Sequence, residues 1–149
     1  MRHSAIITLS LVLLAGACAS DAKKSTETQE QFAARIIKEC PGGDPGFDPF
    51  MTAHPTPTAD DYVEFLPNPI ALTTSMIDCI GKSNPPDALK DPVDKVIAAI
   101  GVVKADLESA LESAKAGDVD ATNTKIGEMQ ADVAKSEEAE QAVVGPPGS

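Results

Sequence analysis

The stretch that decides the fold is residues 91–133, DPVDKVIAAIGVVKADLESALESAKAGDVDATNTKIGEMQADV. Its apolar residues recur at intervals of three and four, the spacing of one face of an α-helix. Gly117 interrupts the pattern, and the connection Ala116-Gly117-Asp118 is short. Because so short a connection joins helices that fold back on each other, the stretch predicts an antiparallel hairpin of two long helices.

Each helix of this hairpin has its own start and stop signals. Asp91 is the expected N-cap of the first helix, Pro92 fits its first turn, and Gly117 ends it after about 25 residues. Asp118 or Asp120 is the expected N-cap of the second helix. The predicted apolar faces are Val93, Val96, Ile97, Ile100, Val103, Leu107, Leu111 and Ala114 on the first helix and Val119, Thr122, Ile126, Met129 and Val133 on the second.

The apolar pattern of the second helix fades after Val133. Ser136, Glu137 and Glu140 occupy positions where the spacing calls for an apolar residue. The surface beyond Val133 is therefore a candidate contact for a partner. We expect residues 145–149, GPPGS, to form a disordered tail.

Two shorter helices are predicted before the hairpin. The first runs from Ser25 to Glu39, with Thr26 and Gln29 as a capping box, and Pro41-Gly42-Gly43 stops it. The second has Asn68 as N-cap and Pro69 in its first turn, runs to about Ile80 and is ended by Gly81.

The segment 41–69 differs from the rest of the chain. It holds seven prolines and three glycines, so no long regular element can persist there. One short helix fits at Ala59–Leu66, with Thr58 as its N-cap. Four of the five aromatic residues of the chain lie in this segment, and a disordered linker rarely carries so many. We therefore expect an ordered, irregular arm packed against the helices.

The four aromatic residues of the arm are a candidate ligand or partner surface: Phe47, Phe50, Tyr62 and Phe65. They could line a small apolar pocket or meet a partner. The alternative is that they fill one end of a core that is otherwise built from small residues.

Composition supports an all-α fold, a small helical bundle with the long C-terminal hairpin and the proline-rich arm. The chain has no Trp, one Tyr and four Phe, and it is rich in Ala, a composition typical of helices rather than of a sandwich or barrel. Its net charge of −11 argues against nucleic-acid binding, because the negatively charged surface would repel the phosphates. The same charge suits solubility in an extracytoplasmic space.

The N-terminal residues predict export. A basic start, Met1-Arg2-His3, precedes the apolar run Ala5–Leu14. Such a run spans about 15 Å as a helix, about half of a hydrocarbon core, and is too short to cross a bilayer. Small residues and a cysteine follow it. Residues 1–17 are therefore predicted to be a signal peptide.

The stretch Leu14-Ala15-Gly16-Ala17-Cys18 resembles the lipobox of bacterial lipoproteins. In that family the chain is cut before the cysteine, which carries a diacylglyceryl group and becomes the acylated N-terminus. The resemblance implies fatty acylation (palmitate or a similar chain) of Cys18, with residues 18–25 as a polar tether before a helical domain at 26–144. The leucine that usually stands three residues before the cysteine is replaced by Ala15. Ala15-Gly16-Ala17 is also a site for ordinary signal peptidase, so the alternative is a soluble secreted protein.

Cysteine arithmetic favours lipidation. The chain has three cysteines, Cys18, Cys40 and Cys79, and acylation of the first leaves an even pair. In an oxidising compartment Cys40 and Cys79 are expected to form a disulfide. Closing a loop of about 38 residues would stabilise the fold by roughly 4 kcal/mol. The alternative is a pair of free or metal-binding thiols.

No motif predicts a metal site, a cofactor or an enzyme. His54 is the one histidine after the leader, and zinc sites need three or four ligands. Asp118-Val119-Asp120 begins like a calcium loop, but Met129 stands where the loop needs Glu. The chain has no G-x-S-x-G stretch, and the neighbouring carboxylates Asp60, Asp61 and Glu64 fit capping and solvated faces better than paired catalytic groups.

Residues 85–90, PPDALK, the long helix up to AKAGD at 114–118, and a first helix running from Phe32 to Cys40 are similar to a pattern in small helical lipoproteins of actinobacteria. That resemblance implies an envelope protein on the extracytoplasmic face of the cell membrane, or on the outer membrane of a Gram-negative host, with no assigned activity. A cysteine that this pattern often has near its C-terminus is missing here. We expect a lipid-anchored binding or structural module that meets the bilayer through Cys18 and an envelope protein as partner. The alternative is a carrier of a small apolar ligand held between arm and bundle.

Replacing the acylated sulfur tests the anchor. Mass spectrometry of the mature protein should find Cys18 at the N-terminus with its added lipid. The Cys18→Ser variant should leave the membrane fraction, because a firm anchor needs the buried methylenes of two or more chains. A variant that still sediments with membranes and resists carbonate extraction would contradict lipidation.

Overall fold

The computed structural model describes residues 27–42 and 45–144. The expected signal peptide, the whole tether at 18–25 and the C-terminal tail lie outside these residues. The described residues form six α-helices and one turn of 3₁₀ helix at Asp87–Leu89, without a strand, which confirms the all-α class. The helices are α1 (Gln29–Glu39), α2 (Phe47–Ala53), α3 (Ala59–Phe65), α4 (Pro67–Gly81), α5 (Lys90–Lys115) and α6 (Val119–Val144).

The predicted hairpin of α5 and α6 is the centre of the fold, and these two helices make the most extensive contact in it. Gly117 adopts a left-handed conformation, with φ of 79°. Its N–H donates to the Ala114 carbonyl at 2.9 Å, and the Asp118 N–H donates to the Ser113 carbonyl at 3.0 Å, which closes α5 with a Schellman motif. An Asp118 carboxylate oxygen accepts from the Ala121 N–H at 2.9 Å, so Asp118 is the N-cap of α6.

The buried face of α5 follows the predicted spacing. Seven of its side chains are buried: Val93, Val96, Ile100, Val103, Leu107, Ala110 and Ala114. The predicted members Ile97 and Leu111 are only partly buried. Two clusters divide this face. The one near the hairpin turn is shared with the arm and α6, and the one at the far end is shared with α1, α4 and the end of α6.

The predicted start of α1 is wrong by several residues. The helix begins at Gln29, and its capping box joins Thr28 and Gln31, with the Thr28 hydroxyl accepting from the Gln31 N–H at 3.3 Å. Thr26 and Gln29 do not cap it, and Thr26 itself lies outside the described residues. Both threonines have a glutamine three positions later, so the motif alone could not choose between them.

The predicted N-caps of α4 and α5 are also wrong. Leu66 precedes α4, which starts at Pro67, so Asn68 lies within the first turn. A proline is tolerated anywhere in a first turn because the N–H groups there have no partner within the helix. The 3₁₀ turn leads directly into α5 at Lys90, which places Asp91 in the first turn. There its negative charge interacts favourably with the positive end of the helix dipole, although its side chain does not cap the helix.

The arm is more regular than predicted. Helix α3 begins after Thr58, as expected, with Asp61 completing a capping box, but α2 was not anticipated. Pro49 stands at the third position of α2, where its missing N–H costs no hydrogen bond.

No helix in the described ranges 27–42 and 45–144 is both long and apolar enough to cross a membrane.

Two neighbouring valines of α5 test the packing of the hairpin. Val103 is 7% exposed and Val102 is 48% exposed. Val103→Ala should lower the free energy of unfolding by about 2 kcal/mol, because it removes buried methyl groups and leaves a cavity. Val102→Ala, the same substitution on the exposed side, should change it by about 0.5 kcal/mol or less. Urea denaturation measures both, and equal losses would contradict the assigned face.

Candidate functional site

A cavity of about 280 Å³ lies between α1, the far end of α5, the end of α4 and the end of α6. Its walls are almost entirely apolar. They are formed by Phe32, Ala33, Ile36, Ile37, Cys40, Pro41, Gly42, Met76, Ile80, Val93, Val96, Glu140, Val143 and Val144.

Helix α1 forms one wall of this cavity, and its apolar side is packed into the bundle. Phe32 is 0% exposed and joins the far core cluster, and Ala33 beside it is also buried. The side-chain amide of Gln29 donates to the Val143 carbonyl at 3.0 Å. The start of α1 is therefore attached to the last turn of α6, whose carbonyls have no partner within the helix.

Arg35 attaches the outer side of α1 to the loop after α4. Its guanidinium donates to both carboxylate oxygens of Glu27, at 3.0 and 2.8 Å, and to the Ser83 carbonyl at 2.9 Å. The guanidinium also lies 5.2 Å from the centre of the Phe32 ring. The hydrogen bond with Arg35 lowers the pKa of Glu27, and the same bond raises the pKa of Arg35. Both groups therefore stay charged across the physiological range.

The end of α1 is fixed to α4 by a disulfide between Cys40 and Cys79, whose Cα atoms are 5.5 Å apart. The pairing matches the one expected from the cysteine count. Cys40 also lines the cavity, so the cross-link lies in its wall.

Two exposed apolar side chains stand at the rim of the cavity. Ile37 is 71% exposed and Val144 is 40% exposed, and both line the cavity. They belong to the two elements that meet there, α1 and the last turn of α6. Exposed aliphatic side chains beside a concave apolar surface are typical of a binding site rather than of a closed core.

Glu140 is the only ionisable side chain among the described residues that line the cavity. Its partial burial raises the pKa of its carboxyl group, and the negative charge of Glu137 adds to that rise. Withdrawal from water disfavours the ionised form unless a positive or donating group compensates. Within the described part of the chain the side chain of Glu140 forms no hydrogen bond or ion pair.

The aromatic residues predicted as a binding surface come together elsewhere. Phe50 stacks on Phe65 with ring centres 4.2 Å apart and tilts against Tyr62 at 5.4 Å, and Phe47 meets Phe65 edge-on at 4.9 Å. Tyr62 is 1% exposed, and its hydroxyl donates to the Asn123 side chain of α6 at 2.6 Å. The four rings pack onto the core cluster near the hairpin turn, and none of them lines the cavity.

The surface of α6 beyond Val133, the other predicted contact, is partly covered by α1. Ser136 is buried there, and its hydroxyl donates to the Val133 carbonyl at 2.8 Å. The polar residue is accommodated because the backbone of its own helix accepts its hydrogen bond.

Three acidic residues outside the cavity have shifted pKa values. Asp61 completes the capping box of α3, accepting from the Thr58 N–H at 2.7 Å, and this bond lowers the pKa of Asp61. Asp106 of α5 faces Asp132 of α6. Burial, followed by the proximity of the Asp132 carboxyl group, raises the pKa of Asp106, whereas the hydrogen bond from Lys135 lowers the pKa of Asp132. No group of three or more His, Cys, Asp or Glu in the described residues could hold a metal ion.

The cavity was not predicted from the sequence, although one signal for it is present. Glu140 interrupts the apolar stripe of α6 at an inward-facing position, and that interruption marks the wall of the cavity. The walls come from four separate helices, and only their docking brings them together.

Comparison with known proteins finds no family model that matches the chain, and no match among curated proteins or solved structures.

Removal of the disulfide should loosen the wall that contains α1. In the Cys18→Ser chain, the further change Cys40→Ala with Cys79→Ala should lower the free energy of unfolding by up to about 4 kcal/mol, because the unfolded chain regains the entropy of a 39-residue separation. Urea denaturation of the two proteins measures the loss. Reaction of iodoacetamide with both cysteines of the non-reduced protein would contradict the cross-link.

Proposed function

We propose that this protein is a lipid-anchored, extracytoplasmic binding module that holds a small apolar ligand in the cavity between α1 and the far end of the hairpin. The observation that carries the proposal is the cavity itself, whose walls are apolar apart from one carboxyl group. Of the functions weighed from the sequence, the carrier of an apolar ligand fits this geometry best, with its site beside α1 and the disulfide instead of beside the aromatic arm.

The volume of the cavity limits the size of the ligand that it can hold. Small-molecule sites begin near ~300 Å³, and this cavity of about 280 Å³ stands at that lower end. It suits one short alkyl chain or one alicyclic body. A lipid with two full-length chains would exceed it.

The proposed anchor and the cavity have separate tasks. Acyl chains on Cys18 would keep the protein at the outer face of a membrane without any membrane-seeking surface on the folded body. The cavity could then exchange its ligand with the bilayer or with an envelope partner. The high negative charge of the chain keeps the folded body soluble beside the membrane.

Ligand binding is tested with the soluble Cys18→Ser chain and decanol, an uncharged ten-carbon probe. Isothermal titration calorimetry should give saturable binding with a dissociation constant on the order of 10 μM, because burial of the chain offsets the entropy of association. The Ala33→Phe variant should lose this binding, since Ala33 is buried in the wall of the cavity.

Ala34→Phe is the matched control. Ala34 is the next residue of α1, it is exposed, and it does not line the cavity. This variant should bind decanol as the unaltered chain does. Absence of binding in the unaltered chain, or equal binding by both phenylalanine variants, would contradict the proposal.

A further inference from the structure

We infer that the ligand of the cavity is a cationic amphiphile, with an apolar body among the aliphatic walls and a protonated amine paired with the carboxylate of Glu140. This inference rests on the proposed function and names the chemical class of the ligand.

The placement of Glu140 carries the inference. It is the single ionisable group among the described lining residues, and every other described wall of the cavity is aliphatic, aromatic, backbone or disulfide. Its side chain faces the region that an apolar ligand would fill. Its carboxylate is half-buried, and no described residue pairs with it as a cation or a hydrogen-bond donor.

A ligand amine would supply the missing partner. An ammonium group donates charge-assisted hydrogen bonds to a carboxylate, and these are stronger than bonds between neutral groups. The apolar walls beside the half-buried Glu140 lower the local dielectric and so strengthen the attraction. A cavity without Glu140 would accept apolar molecules whatever their head group, so this residue gives the site its selectivity.

The charge of the whole chain acts in the same direction. The protein carries −11, and Glu137, one turn before Glu140, adds local negative charge. A cation is drawn to such a surface and an anion is repelled from it. Fatty acids are therefore disfavoured ligands, although their chains would fit the apolar walls.

Three probes with the same ten-carbon chain separate the head-group chemistry from the apolar contact: decylamine, decanol and decanoate. In titration calorimetry at pH 7 with the Cys18→Ser chain, decylamine should bind about tenfold more tightly than decanol, the ratio that a modest charge-assisted pair provides. Decanoate should bind more weakly than decanol.

Glu140→Gln should abolish the tenfold preference for the amine, because glutamine keeps the shape of the wall and loses the charge. Glu137→Gln is the matched control. This exposed residue lies on the same helix and does not line the cavity, so the preference should persist. Ala33→Phe should remove binding of all three probes, which distinguishes the cavity from non-specific attraction of an amine to an acidic surface.

The outcomes separate the two proposals. Equal binding of decylamine and decanol, or tighter binding of decanoate, overturns the cationic ligand while the apolar cavity stands. An amine preference that survives Glu140→Gln also overturns it. If no probe binds, the proposed function itself fails and the inference fails with it.

Discussion

The fold depends on a mismatch between the apolar faces of α5 and α6. Helix α5 buries side chains along nearly its whole length, from Val93 to Ala114. Helix α6 matches that face with an unbroken apolar stripe only as far as Val133. Beyond it Ser136 and Glu140 interrupt the stripe, and Val143 in the last turn rejoins the far core cluster. Because the far end of α5 would otherwise remain in water, other elements must cover it. Helices α1 and α4 do so, with Phe32 and Ile80 buried against Val96 and its neighbours.

This covering explains why the disulfide and the cavity lie at the same end of the molecule. Helix α1 is short, so its packing area alone is a weak attachment. The Cys40–Cys79 bond, the contacts of Arg35 and the bond from Gln29 to the end of α6 secure it from three directions. Four elements that converge with side chains of unequal size do not fill all the space between them, and the remaining volume is the cavity. At the other end the aromatic rings of the arm fill the space that the small residues of the hairpin leave.

The sequence predicts the hairpin well because its two signals are local. Apolar spacing defines the buried face, and Gly117 with Asp118 defines the turn. Helix starts are predicted less well. For α1, Thr26 and Thr28 offer the same capping motif, and for α4, Pro67 and Pro69 are both compatible with a first turn. Helix α2 is not predicted because the prolines and glycines of the segment 41–69 argue against regular structure, whereas Pro49 is compatible with the first turn of a helix.

The candidate site could not be predicted from the sequence, for a physical reason. The aromatic residues of the arm are predicted as a binding surface because large side chains dominate such surfaces. In the structure, however, Phe50 and Tyr62 pack in the core cluster near the hairpin turn. The cavity depends on how α1 docks, and docking is a property of the assembled fold. The one sequence signal for the cavity is Glu140, an acidic residue at a position that the helical spacing places on the inward face of α6.

The most direct test of this account is whether the ring of Phe32 lies in the far core cluster. In a methyl-labelled sample, nuclear Overhauser effects should connect the Phe32 ring protons to methyl groups of Val96 or Val143, since all three residues belong to that cluster. The other four aromatic residues belong to the cluster near the hairpin turn or pack against it, so the two sets of contacts are distinguishable. A Phe32 ring without contacts to these methyl groups would contradict the docking of α1, and with it the cavity.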